Sequence, residues 1–203
     1  PIALLQAWDR RWAADSVATT VAIHWAEELW RVVGADPKGR AWPLFEQVAS
    51  SSTSEQRLQA LLAATEKLQQ DFGHWRMPWG EVNRLQRRTG DIVQRFDDAT
   101  ASTPVAFTSG RWGSLAALEA STYPGTLRRY GTSGNSFVAA VEFGPKVTAK
   151  AILVGGQSGA PASPHFFDQA ARYARGALRD IHFYPDDIAK HATEIYHPGQ
   201  SIR

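Results

Sequence analysis

The chain has 203 residues, enough for one large domain or two small ones with a buried core. With 43% hydrophobic and 21% charged residues it is too apolar to be disordered, and a formal net charge of +2 with scattered Lys and Arg leaves no nucleic-acid footprint. The absence of cysteine removes disulfides, thiol catalysis and thiolate metal sites, and no apolar run is long enough to span a membrane.

Ile2, Leu5, Trp8 and Trp12 recur at helical spacing. Val17, Val21, Trp25, Leu29 and Val32 form a second stripe, ended by Gly34 and Pro37, and the segment Asp36 to Trp42 reads as a surface loop. After the serine run 50–52, Ser52 and Glu55 spell a capping box for a third helix. Leu58, Leu61, Leu62, Leu68 and Phe72 are its expected buried face and Gly73 its stop. From about residue 76 short segments follow, broken by Pro78, Gly80, Gly90, Pro104, Gly110 and Gly113. Strict alternation then returns. Phe137, Ala139, Val141 and Phe143 point one way, and Val147, Ala149, Ala151 and Leu153 repeat the period after Gly144-Pro145-Lys146, which predicts a β-hairpin. Both of its faces are apolar, so the sheet is expected to be covered on two sides, Phe137 and Val141 against one layer, Val138 and Val154 against another.

A helix is predicted from Ser163 as N-cap and Pro164 at the first position to about Gly176, burying Phe166, Ala170 and Tyr173. A last one opens at Pro185-Asp186-Asp187 and is expected to run through Ile188 and Ile195, stopping before Pro198. The order helices, strands, helices argues for an α+β fold, with a mainly helical part over 1–100 and a hairpin with closing helices over 101–203.

Candidate chemistry is sparse. His165 and Asp168 stand at i, i+3, a spacing that suits metal chelation or an imidazole–carboxylate pair, but a local hydrogen bond explains it equally well. No HExxH is present, and His182, His191 and His197 match no ligand motif. The run Gly155 to Gly159 fails as a phosphate loop, since no Lys-Ser or Lys-Thr follows. It also fails as a nucleophile elbow, because Ala160 occupies the second glycine site around Ser158; a glycine-lined strand exit is the better account. Pro1, a secondary amine, invites comparison with tautomerases, but the helical period of the residues after it argues against that. Of eight tryptophans, Trp8, Trp12 and Trp25 fall on apolar stripes. Trp75, Trp79 and Trp112 fit either burial or a binding surface, so a Trp-rich sugar- or protein-binding module is the rival reading.

Three longer strings carry a resemblance. Gly134-Asn135-Ser136-Phe137, then Gly156-Gln157-Ser158-Gly159, then Ala162-Ser163-Pro164-His165-Phe166-Phe167-Asp168-Gln169 resemble the closing segment of the penicillin acylase family. Trp79-Gly80-Glu81-Val82-Asn83-Arg84 looks like that family's tryptophan-glycine-acid turn. Leu5-Gln6-Ala7-Trp8-Asp9 with Asp15-Ser16 is similar to an early helix of its members. With Tyr196-His197-Pro198-Gly199 the tail looks closest to the acylases of acyl-homoserine lactones, aculeacin-type lipopeptides and related amides.

The resemblance implies the C-terminal part of an αββα four-layer N-terminal nucleophile hydrolase sandwich, one structural unit completed by other processed chains of the same precursor. It implies hydrolysis of N-acyl amides (acyl-homoserine lactone, lipopeptide or β-lactam side chain) by an N-terminal serine, and export to the periplasm or beyond. Pro1 has no hydroxyl, so this chain alone is expected to be inactive, with no catalytic, cofactor or metal residue of its own. The resemblance also allows a structural calcium in the assembled complex. Trp79, Asn135, Gln157, Ser158, Ser163, His165, Asp168 and Gln169 are then structural: strand exit, helix start and junction with the other chain.

Overall fold

The computed structural model of the protein describes residues 1–34, 41–195, 197 and 199, and of 41–44 the backbone only. Helices come first: α1 (Ile2–Gln6), α2 (Val17–Val32), α3 (Ala41–Ser51), α4 (Ser54–Phe72) and α5 (Trp79–Val82). Helix α1 is shorter than its stripe. Asp9 Oδ1 accepts from the Arg11 N–H at 2.9 Å and Arg10 takes a φ of +63°, so the chain turns before Trp8 and Trp12 can join the helix. The two indoles instead pack on each other at 5.9 Å.

Ser16 caps α2, its hydroxyl accepting from Thr19 N–H at 3.1 Å. Ala41 and Trp42 are helical rather than loop, and the rest of the predicted loop lies outside the described residues. The serine run closes this unforeseen α3, with the Ser50 and Ser51 hydroxyls donating to carbonyls three and four residues back.

The capping box of α4 sits one residue later than predicted. Thr53 Oγ1 accepts from Gln56 N–H, and Gln56 Oε1 accepts from Thr53 N–H. The side chain of Ser52 is held elsewhere, accepting from Arg57 Nε at 2.8 Å. Gly73 ends the helix with a φ of +81°. The buried face is Ala60, Leu61, Ala64 and Leu68, which meets Val21 of α2 with Leu5, Val17 and Phe72 around it. Leu58 and Leu62, expected on that face, lie on the adjacent stripe and are 55% and 58% exposed.

From Asn83 the chain forms two sheets. The first has the order β2-β1-β4-β3, from β1 (Asn83–Leu85), β2 (Thr103–Pro104), β3 (Leu118–Ser121) and β4 (Arg129–Gly134), with β1 and β4 parallel. The second has the order β5-β6-β7, all antiparallel, from β5 (Phe137–Glu142), β6 (Thr148–Leu153) and β7 (Arg179–Asp180). The predicted hairpin is β5–β6, in register from Phe137 opposite Leu153 to Glu142 opposite Thr148. Leu85, Val105, Leu118, Ile152 and Tyr173 join the two sheets in one core, with Val138 and Val154 packed against it. The other hairpin face is open along β5, where Phe137, Val141 and Phe143 are exposed, whereas Ala151 of β6 on that face is buried.

Helix α6 (Ala170–Ala174) begins seven residues after the predicted cap, because residues 163–169 are spent on closing the strand exit described below. Ala170 and Tyr173 are buried in it as expected, Phe166 is buried ahead of it, and Gly176 (φ +65°) follows its C-cap Arg175. Helix α7 (Pro185–His191) opens as predicted but stops well short of Ile195, which is exposed; Tyr196 and Pro198 lie outside the described residues. The fold is α+β. Trp79 is buried, Trp30 stacks on Trp112 at 4.5 Å, and the Trp25 indole N–H donates to Arg57 O, so these rings serve internal packing.

Because Leu68 is fully buried and Leu58 is not, Leu68→Ala is expected to cost about 2–5 kcal/mol and Leu58→Ala less than about 0.5 kcal/mol. Urea unfolding of the two variants checks the face assignment; equal costs would contradict it.

Candidate functional site

The glycines after β6 decide the local path. A Cβ on Gly156 would fall 2.0 Å from His165 O, so only glycine lets the strand exit pass the 163–169 segment. Two backbone bonds then close it: Gln169 N–H donates to Gly155 O at 2.8 Å and Ser158 N–H donates to His165 O at 3.1 Å. Inside this closure Ser158 Oγ accepts from Ala160 N–H, and Ser163 Oγ accepts from His165 N–H, both at 3.1 Å. Ser163 therefore caps a turn and not a helix. His165 Nδ1 and Asp168 Oδ2 are 2.9 Å apart on the exposed outer side. Gln169 leads into α6, while its buried Oε1 has no partner among the described residues. Gln157 is exposed beside them.

So Gln157, Ser158, Ser163, His165, Asp168 and Gln169 form one closed loop, and Trp79 and Asn135 stand apart from it. Trp79 donates from Nε1 to Phe107 O and from its backbone N–H to Ser16 O; Gly80 after it has no room for a Cβ between Pro104 and Ala14. Asn83 and Arg84 extend that hook: Asn83 Nδ2 donates to Val105 O and Phe107 O, and Arg84 donates to Gly80 O and to Ser102. Asn135 exchanges bonds with Ala117, accepting at Oδ1 from its N–H and donating its own N–H to Ala117 O. Among the described residues no serine hydroxyl bonds a histidine ring, and no group of three or more His, Asp and Glu could hold a metal.

Two cation sites escaped sequence reasoning. Arg87 stacks on the Phe166 ring at 3.9 Å and donates from Nη1 to Phe166 O at 2.9 Å, which ties the closed loop to the end of β1. Arg129 of β4 donates from its two terminal nitrogens to both Glu27 oxygens, at 2.6 and 2.7 Å, and from Nη2 to His24 Nε2 at 3.1 Å. His24 is buried, and its Nδ1 lies 2.8 Å from Thr20 O. Both contacts are satisfied by the neutral ring with its proton on Nδ1. Burial, and then the guanidinium beside it, push the His24 pKa down to about 4. Burial would raise the Glu27 carboxyl, but the charge and hydrogen bonds of Arg129 outweigh it and hold Glu27 below its ordinary value. Nothing local in the sequence pairs a helix histidine with an arginine 105 residues away.

These geometries hold a scaffold in place; none of them presents an activated nucleophile. The chain matches the penicillin amidase family over residues 1–190 and belongs to that family. Membership implies acylase-type hydrolysis of amides.

The folded chain keeps His24 neutral to about pH 4, whereas an unfolded chain protonates it near pH 6.5. The unfolded state binds the extra proton between those values, so stability falls as pH drops through them. The share due to His24 between pH 7 and pH 5 is about 2 kcal/mol. Urea unfolding at the two pH values should show that loss, and His24→Gln, which keeps an acceptor for Arg129, should remove it. An unchanged slope in the variant would contradict the linkage.

Proposed function

We propose that this chain is the C-terminal portion of an amidohydrolase acting on N-acyl amides, with the nucleophile on another processed chain of the same precursor. The observation that carries this reading is the commitment of the motif residues: the hydroxyls of Ser158 and Ser163 are bound to backbone N–H groups, so the family's signature here closes a junction. The open hairpin face supports the same reading, since Phe137, Val141 and Phe143 form an apolar surface suited to a further sheet layer. That layer would complete an αββα sandwich.

In the assembled enzyme an N-terminal serine would use its own α-amine as base, attack the amide carbonyl, release the amine and leave an acyl-enzyme for water. Acyl-homoserine lactones, lipopeptides and β-lactam side chains fit that chemistry. The proposed site of action is the periplasm or the exterior, and the complex would have room for a structural calcium outside this chain. No helix here is long and apolar enough to cross a membrane among the described residues.

The test is hydrolysis of an N-acyl-homoserine lactone by the chain alone and by the assembled enzyme. The chain alone is expected to give no turnover. In the assembly, Asp168→Asn is expected to lower the melting temperature and leave acyl-enzyme formation within about threefold. Turnover by the repurified chain, or a loss of several orders of magnitude in acylation by a folded Asp168→Asn assembly, would overturn the assignment.

A further inference from the structure

A groove of about 560 Å³ opens between the end of β1, the middle of β4 and the exit of β6, within the roughly 300–1,000 Å³ range of small-molecule sites. Leu85, Phe96, Val154 and Phe167 give it apolar walls. Arg87 is the one cation among its described lining residues. Its guanidinium lies over the Phe166 ring and is held by the bond from Nη1 to Phe166 O, while Nε and Nη2 have no partner among the described residues. The one lining carboxylate, Asp91, accepts from Thr89 Oγ1 at 2.9 Å.

The outer wall is a loop tied to itself through Gln94. Its Oε1 accepts from the Arg88 and Thr89 N–H groups, and its Nε2 donates to Thr89 O and Asp91 O. This loop holds Ile92 and Val93 out, 101% and 82% exposed, at the groove's rim.

We propose that the groove binds a carboxylate with an apolar tail. The free Nε–Nη2 edge of Arg87 donates two parallel hydrogen bonds to the two carboxylate oxygens. The tail lies on Leu85, Phe96, Val154 and Phe167, with Ile92 and Val93 at the rim. The stacked, carbonyl-anchored guanidinium has little rotamer freedom left to lose on binding. The ligand class rests on the groove and on Arg87, independently of the hydrolase reading, although a hydrolase of N-acyl amides would release an acid of this class.

The test is calorimetric titration of the 203-residue chain with octanoate and, as the uncharged control, octanol. Octanoate is expected to saturate one site. Arg87→Gln is expected to weaken octanoate about tenfold or more, the size of a lost charge-assisted pair, and to leave octanol unchanged. Val154→Trp, which fills the groove, is expected to abolish both. Circular dichroism of each variant separates lost folding from lost binding. Absence of binding by the folded chain, or octanoate binding undiminished in folded Arg87→Gln, would overturn the proposal. If the chain folds only with its partner chain, the assembled enzyme is titrated instead, and a groove closed there to octanoate overturns it in favour of a protein segment as occupant. An assembly without amidase activity would count against the proposed function and leave this binding result standing.

Discussion

Arg129 reaches from the four-stranded sheet to α2 and gives its terminal nitrogens to Glu27 and His24, and the seating of the helices on the sheet depends on that contact. The Arg129 side chain is only 15% exposed, so its donors have to be met within the fold, while solvent at the more open Glu27 screens part of the charge attraction. The helix side is prepared for it: the bond between His24 Nδ1 and Thr20 O orients the ring so that Nε2 faces the arginine. Since α4 packs on α2, and Ser16 at the head of α2 holds Trp79 through its carbonyl, the position of one guanidinium propagates through the helical part.

The same economy governs the junction after β6. Gly156 lets two stretches of backbone touch, two hydrogen bonds close them, and Arg87 pins the closed loop to β1 across 79 residues of sequence. The Ser158 and Ser163 hydroxyls are used up in that closure. Its counterpart is the open outer face of β5, apolar and uncovered in this chain, where a soluble surface would ordinarily be polar.

The elements that could be read from the sequence are those with a long local signal. The hairpin has two alternating strands of six residues around Gly144-Pro145-Lys146, and α2 and α4 have several turns of stripe with caps at or beside the expected residues. Strands β1 to β4 are two to six residues long and carry no period to read. The helix predicted from Ser163 failed for a tertiary reason: its pattern of Ser then Pro is a good helix start, but Gly155 and Ser158 claim the backbone of 165–169 for the closure. The motif residues could be named from the sequence. The partners Arg129 and Arg87 could not, because each acts across a separation that only the folded chain reveals.

On the proposed reading the open β5 face is an interior surface of a larger hydrolase. Hydrogen–deuterium exchange of the β5 amides, residues 137–142, in the chain alone and in the assembled enzyme tests it most directly. The amides not bonded to β6 are expected to exchange fast in the chain alone and at least about a hundredfold more slowly in the assembly. Equal rates in the two, with the assembly intact and active, would contradict it.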